Sequence, residues 1–270
     1  MENILIVVQT RMSSTRLPCK VLLPVLDKPL LYRMMERVLK AKHASHIVVA
    51  TTTEPEDKEI ENLCKQNSWE VFRGDKDDLL DRHYQAAKKY QADIILKIPS
   101  DCPLIDTAII DKITEFFLAN SNNYDYVSNL HPASYPDGND VEVMTIKALK
   151  EAWENADKQM EREHTTPYIW ENADKFRIGN ILWETGLDYS MSHRWTIDYP
   201  EDYIFIKQIF EELYPSNTDF KLNDILDLLK TKPEISKING ELAGVNWYRN
   251  HLDELKTIHK SQTKIINTER

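Results

Sequence analysis

Twelve residues near the N-terminus concentrate groups that bind phosphate. Gln9-Thr10-Arg11-Met12-Ser13-Ser14-Thr15-Arg16-Leu17-Pro18-Cys19-Lys20 contains three cations and four hydroxyls. The stretch follows the apolar run Ile4–Val8, which reads as a strand, and open α/β sheets bind ligands at the carboxyl ends of their strands. Arginine grips phosphate oxygens in a bidentate fork, lysine adds a compact point charge, and the N–H groups of a turn complete an anion site. Together they complement a triphosphate. The stretch is not a Walker loop, because it lacks the glycines and the terminal Gly-Lys-Ser/Thr of that motif. Composition alone fits an ordinary solvated basic loop equally well.

Two aspartates stand in comparable places. Asp101 follows the run Ile94–Ile98 and precedes Cys102-Pro103; Asp198 closes Arg194-Trp195-Thr196-Ile197, with Pro200 opening the next helix. Asp101 should therefore share a sheet edge with the basic loop. Magnesium takes oxygen ligands, keeps several waters and is held by one or two carboxylates together with substrate phosphates. Two aspartates from separate strands suit that chemistry. The competing role for each is a helix N-cap, since aspartate caps well before a helical stretch.

Short β-branched runs alternate with amphipathic stretches through the first half, the pattern of a mostly parallel sheet with helices on its faces. It predicts strands at Ile4–Val8, Ile47–Thr51, Trp69–Phe72 and Ile94–Ile98. A first helix should open at Pro29 and carry Leu30, Leu31, Met34, Met35 and Val38 on one face. Others should cover Glu56–Asn67, Asp77–Tyr90 and Asp106–Leu118. Ser121–Asn139 is turn-rich and could carry a substrate loop. Strands near Tyr124–Val127 and Val141–Met144, helices from Ile146 to Ala156 and over Glu163–Trp170, and the strand ending at Asp198 follow. The organisation expected is one domain over 1–250, with an insertion at about 121–195, and a polar tail over 251–270 whose end frays.

The 270 residues can bury a core without disulfides. A net charge of -10 argues against a nucleic-acid partner, because phosphate backbones need a basic footprint. Cys19, Cys64 and Cys102 are isolated, which fits a reducing cytoplasm and neither a zinc site nor a disulfide framework. No run approaches the roughly 20 apolar residues of a membrane span, and the N-terminus lacks a signal-peptide pattern.

Gln9 to Leu31 resembles the signature of the cytidylyltransferase family that includes CMP-Kdo and CMP-sialic acid synthetases, whose loop reads Ala-Arg-x-x-Ser-x-Arg-Leu-Pro-x-Lys. The likeness is greatest to the spore-coat polysaccharide biosynthesis branch. Val49 to Thr53, Phe72-Arg73-Gly74-Asp75 with Asp77 to Arg82, Pro99 to Asp106, Glu163 to Tyr168 and Arg194 to Asp198 extend it over about Met1 to Leu213. The resemblance implies a Rossmann-like three-layer α/β/α sandwich of the nucleotide-diphospho-sugar transferase type around a mostly parallel mixed sheet. It also implies CTP and Mg²⁺, transfer of CMP to a sugar-type acceptor, usually a 2-keto sugar acid, and a possible homodimer. Asp101 and Asp198 would hold the metal and, with Arg11 and Lys20, be catalytic. Gln9, Thr10, Arg11, Ser14, Arg16, Lys20, Thr51, Thr52 and Asp101 would contact the nucleotide. Two departures stand out: the family often has glycine where this chain has Cys19 and Ser100, and a side chain there alters how closely backbone meets phosphate.

Arg73, Asp140, Glu142 and His164 are candidates for the acceptor. Each has an ordinary alternative: Arg73 a surface ion pair, Asp140 and Glu142 the turn at Asp137-Gly138 and an exposed strand, His164 a surface or capping histidine. Asp77, Asp78 and Asp81 fit a helix start, where negative charge offsets the macrodipole. A glycosyltransferase of related fold is a second possible class, although Asp140-Val141-Glu142 offers only D-x-E where D-x-D is usual. A non-catalytic nucleotide-binding module is a third.

Overall fold

The structure is a computed structural model and describes residues 2–266. The first half runs β1 (Ile4–Gln9), a small ladder of β2 (Pro24–Val25) and β3 (Lys28–Pro29), α1 (Leu30–Val38), β4 (His46–Thr52), α2 (Lys58–Gln66), β5 (Glu70–Gly74), α3 (Leu79–Lys89), β6 (Ile94–Pro99) and α4 (Thr107–Ala119). The second half runs β7 (Tyr126–Ser128), β8 (Glu142–Thr145), α5 (Ile146–Asn155), α6 (Gln159–His164), α7 (Pro167–Trp170), β9 (Ile178–Asn180), α8 (Pro200–Leu213), α9 (Leu222–Thr231) and α10 (Pro233–Ser236).

Seven strands form one sheet in the order β5-β4-β1-β6-β8-β7-β9. The first four are mutually parallel, β8 is antiparallel to both β6 and β7, and β9 runs parallel to β7. Residue alternation along β1 feeds two cores. Ile4, Ile6 and Val8 face α1, α2, α4 and α8, whereas Leu5 and Val7 face α3, α5 and α7. Layers of helix, sheet and helix result, the Rossmann-like sandwich expected. Because β1, β4, β5 and β6 all point the same way, their carboxyl ends line up at one edge, and the loop after β1 stands there.

Two expectations need correction, and one strand was not foreseen. Arg194–Asp198 is not a strand: only Arg194 makes a bridge, to Asp137, and Trp195 and Ile197 are buried by packing rather than by pairing. The helix expected over Glu163–Trp170 is two short helices, broken at Thr165 with φ 73° and restarted by Pro167. β9 went unread, as a three-residue strand with a central glycine carries little pattern.

The segment after α10 returns to the second core, where Leu255 and Ile258 are buried. The fraying expected at the very end lies outside the described residues.

Candidate active site

Met12 N–H donates to Asp57 Oδ1 at 2.8 Å, while Asp57 Oδ2 accepts from the Thr51 and Thr52 hydroxyls at 2.8 and 2.6 Å. This buried carboxylate ties the start of the phosphate loop to the end of β4. Burial pushes its pKa up, but the Thr52 hydroxyl, the Met12 N–H and the other donors outweigh that and hold it below the ordinary value. Cys19 N–H donates to Met12 O at 3.1 Å and closes the loop. Cys19 itself sits at φ 59°, ψ 18°, the left-handed region that favours glycine. A glycine at this position would take up that conformation without strain.

The loop delivers Lys20 into the interior at 6 % exposure. Its ammonium lies 2.8 Å from Asp101 Oδ1, 3.0 Å from Asp198 Oδ1 and 2.8 Å from Ile197 O. Arg16 reaches Asp198 Oδ1 at 2.7 Å. Neither aspartate is a helix cap: Asp106 caps α4, and Asp202 Oδ2 accepts the Asp198 and Tyr199 N–H groups before α8. Burial alone would raise the Asp198 carboxyl, but Lys20, Arg16 and Arg194 drive it well below the usual carboxylate range. The same carboxylates overcome the effect of burial on Lys20 and raise its pKa.

Asp101 O accepts from Ile197 N–H at 2.9 Å and from the Thr196 hydroxyl at 3.0 Å, so the two acids are fastened by backbone as well. Their convergence on one ammonium fits magnesium, which takes two carboxylates and completes its shell with phosphate oxygens and water. Among the described residues no group of three or more His, Cys, Asp or Glu side chains is placed to hold a metal alone.

These groups open into a cavity of about 620 Å³. Gln9, Thr10, Arg11, Ser14, Asp140, Glu142 and His164 line it too. Gln9 Oε1 and Thr10 Oγ1 are buried without a hydrogen-bond partner among the described residues, a costly state, about 1–3 kcal/mol each, that a ligand would relieve. Arg11 has no ion pair or side-chain hydrogen bond among the described residues, unlike Arg16 and Lys20.

Three expected contacts are not brought in. Thr51 and Thr52 are spent on Asp57, and Arg73 binds Glu61 at 2.9 Å and the carbonyls of Thr52 and Glu54 at 2.8 and 2.7 Å. Glu142 is a buried strand residue, not an exposed one, and its oxygens meet Lys97 Nζ and the Tyr126 hydroxyl at 2.5 Å each. That use of Glu142 leaves the D-x-E sequence without a free second acid. His164 is stacked on Trp247 at 3.8 Å, and burial foremost pushes its pKa down to about 3. It stays neutral in the physiological range.

The sequence reading missed several members. Arg82 is 2 % exposed, lines the cavity, and among the described residues is held only by the carbonyls of Asp75 and Lys76 at 2.9 and 3.1 Å. Burial and then the neighbouring Arg11 push its pKa down to about 10. A buried cation without a carboxylate partner beside another free cation is half of an ionic site. Trp247, Tyr248 and His251 enter the lining from the C-terminal segment, which periodicity around the motifs could not foretell. Asp-Arg at 81–82 was visible; its inward turn was not.

A basic loop and paired acids at the carboxyl edge of a parallel sheet define a nucleotidyltransferase. The family described as Cytidylyltransferase matches residues 5–229, and the chain belongs to it. An uncharacterized protein of Methanocaldococcus jannaschii is 37% identical over 241 residues, 87% of this chain and 94% of that one. The spore coat polysaccharide biosynthesis protein SpsF of Bacillus subtilis is 28% identical over 242 residues, 87% of this chain and 97% of its own length. A solved cytidylyltransferase from Leptospira borgpetersenii superposes with a TM-score of 0.82 at 35% identity, covering 87% of this chain and 97% of that one.

Proposed function

We propose that the protein transfers the CMP unit of Mg·CTP to a hydroxyl of a sugar-type acceptor, with release of pyrophosphate, in the making of a surface polysaccharide or glycoconjugate. The observation that carries this reading is the pairing of an unpartnered Arg11 with two carboxylates that converge on one cation. Arg11, Arg16 and Lys20 bind the β- and γ-phosphates, and Arg82 adds a fixed positive charge to the same cavity. Gln9 and Thr10 gain the partners they lack by meeting the nucleoside.

Asp101 and Asp198 would hold magnesium, which when bound supplies charge neutralisation at the phosphates and makes the acceptor hydroxyl more acidic. The acceptor hydroxyl loses its proton to solvent as its oxygen bonds to the α-phosphorus, the bond from that phosphorus to the bridging oxygen of the β-phosphate breaks, and pyrophosphate leaves with its electron pair. The protein positions the reactants and stabilises charge, without a covalent intermediate. A 2-keto sugar acid, the acceptor class implied by the resemblance, is the first to assay.

The test is pyrophosphate release from CTP with a panel of sugar acids and neutral sugars, comparing the wild type with Asp101→Asn. Acceptor-dependent release that falls by several orders of magnitude in the variant supports the reading. Near-normal turnover in folded Asp101→Asn protein sinks the carboxylate assignment.

A further inference from the structure

The structure assigns Lys20 a second task beyond gripping phosphate: its ammonium is a resident cation that occupies the acid pair and excludes a divalent ion until a nucleotide draws it away. Its ammonium, which has three N–H donors, donates to Ile197 O at 2.8 Å and Asp198 Oδ1 at 3.0 Å and forms an ion pair with Asp101 Oδ1 at 2.8 Å. Arg16 and Arg194 also touch Asp198, but among the described residues Lys20 alone spans both carboxylates. In this state the Lys20 ammonium is engaged by three oxygens, two of them carboxylate oxygens that a metal would need. A free divalent ion must compete with a buried, well-satisfied ammonium for the same oxygens.

A polyphosphate changes the balance by offering Lys20 a new anion. Once the ammonium turns to the phosphates, the two carboxylates are released to the metal that the nucleotide carries. Metal and nucleotide therefore enter together, and the coupling is reciprocal by linkage. The inference rests on the reading of Asp101 and Asp198 as metal-holding carboxylates.

The full chain is titrated with Mn²⁺ in the absence of nucleotide, and free Mn²⁺ is followed by electron paramagnetic resonance. Wild-type protein should bind weakly, and Lys20→Met at least about tenfold more tightly, since a unit charge a few ångströms away acts strongly even at a high effective dielectric. Adding Asp101→Asn to Lys20→Met should erase the gain. Lys20→Gln, which retains an N–H donor without the charge, serves as the second variant if Lys20→Met does not fold. Tight Mn²⁺ binding by the wild type, a folded Lys20 variant no tighter than wild type, or a gain that survives Asp101→Asn would each overturn the inference. A parallel CTP titration separates the two readings: a wild type that ignores CTP contradicts the proposed function and leaves the Mn²⁺ comparison standing.

Discussion

Arg194 and Asp202 form a two-pronged pair, Nε to Oδ1 at 2.9 Å and Nη2 to Oδ2 at 3.0 Å, with Asp202 wholly buried. The pair is the footing of Asp198. Arg194 Nη2 reaches Asp198 Oδ2 at 3.3 Å, Asp202 Oδ2 accepts the Asp198 N–H at 2.9 Å, and Asn239 donates to Asp202 Oδ1 at 2.9 Å. Replacing Asp202 by Asn takes the nearest carboxylate from a buried guanidinium whose other carboxylate contacts are the longer ones to Asp198 at 3.3 Å and Asp137 at 3.5 Å, so the loss should approach but not exceed the about 3–5 kcal/mol of a broken buried pair. Thermal denaturation should register that loss, and any folded fraction should turn over slowly because Asp198 is no longer aimed.

Arg11 makes the opposite case, a cation with no internal partner among the described residues. Hydrogen bonds to charged groups contribute about 1.5–3 kcal/mol, so Arg11→Ala should weaken CTP binding roughly 10- to 100-fold. The melting temperature should hardly move. A large stability loss with unchanged CTP affinity would show that Arg11 serves the fold instead.

Cys19 holds a left-handed backbone conformation, φ 59°. A side chain there costs about 1–2 kcal/mol, while glycine forfeits about 0.5–1 kcal/mol in chain entropy. Cys19→Gly should therefore be as stable as the wild type or up to about 1 kcal/mol more so, with CTP turnover undiminished. Cys19→Val, β-branched, should lose stability. Denaturant midpoints measure both.

Asp137 faces Asp140 across the cavity wall, and its side chain keeps 21 % exposure. Burial and then Asp140 push its carboxyl pKa up, more than Arg194 pulls it down. Unfolded, the group ionises near pH 4; folded, it retains its proton to higher pH. The folded state binds more protons in that window, so this group's contribution to stability falls as pH rises from about 4 toward neutrality. The melting temperature of Asp137→Asn relative to wild type should accordingly climb between pH 5 and pH 8, by about 2–4 °C per kcal/mol for a chain of this size. A difference that is flat or shrinks with pH contradicts the assignment.

The parallel half of the sheet was legible because each strand is a compact β-branched run followed by an amphipathic helix. The break at Thr165 carried a signal in Pro167, which restarts a helix at its first turn. Arg194–Asp198 misled because Trp195 and Ile197 alternate as strand residues do, yet their burial comes from packing into the first core. At the site, the loop cations and the two acids could be read from residue type and place. Their partners could not: Lys20 meets Asp198 across 178 positions, and Glu142 meets Lys97 across 45. Local periodicity holds no record of such contacts, nor of Trp247 closing over His164.

The claim at the centre of this account is that the cavity takes CTP with magnesium, and it is tested without knowing the acceptor. Calorimetric titration with CTP, UTP, ATP and GTP, each with and without Mg²⁺, should give selective, magnesium-dependent binding of CTP. Binding that prefers another nucleotide, or no binding by demonstrably folded protein, would contradict it.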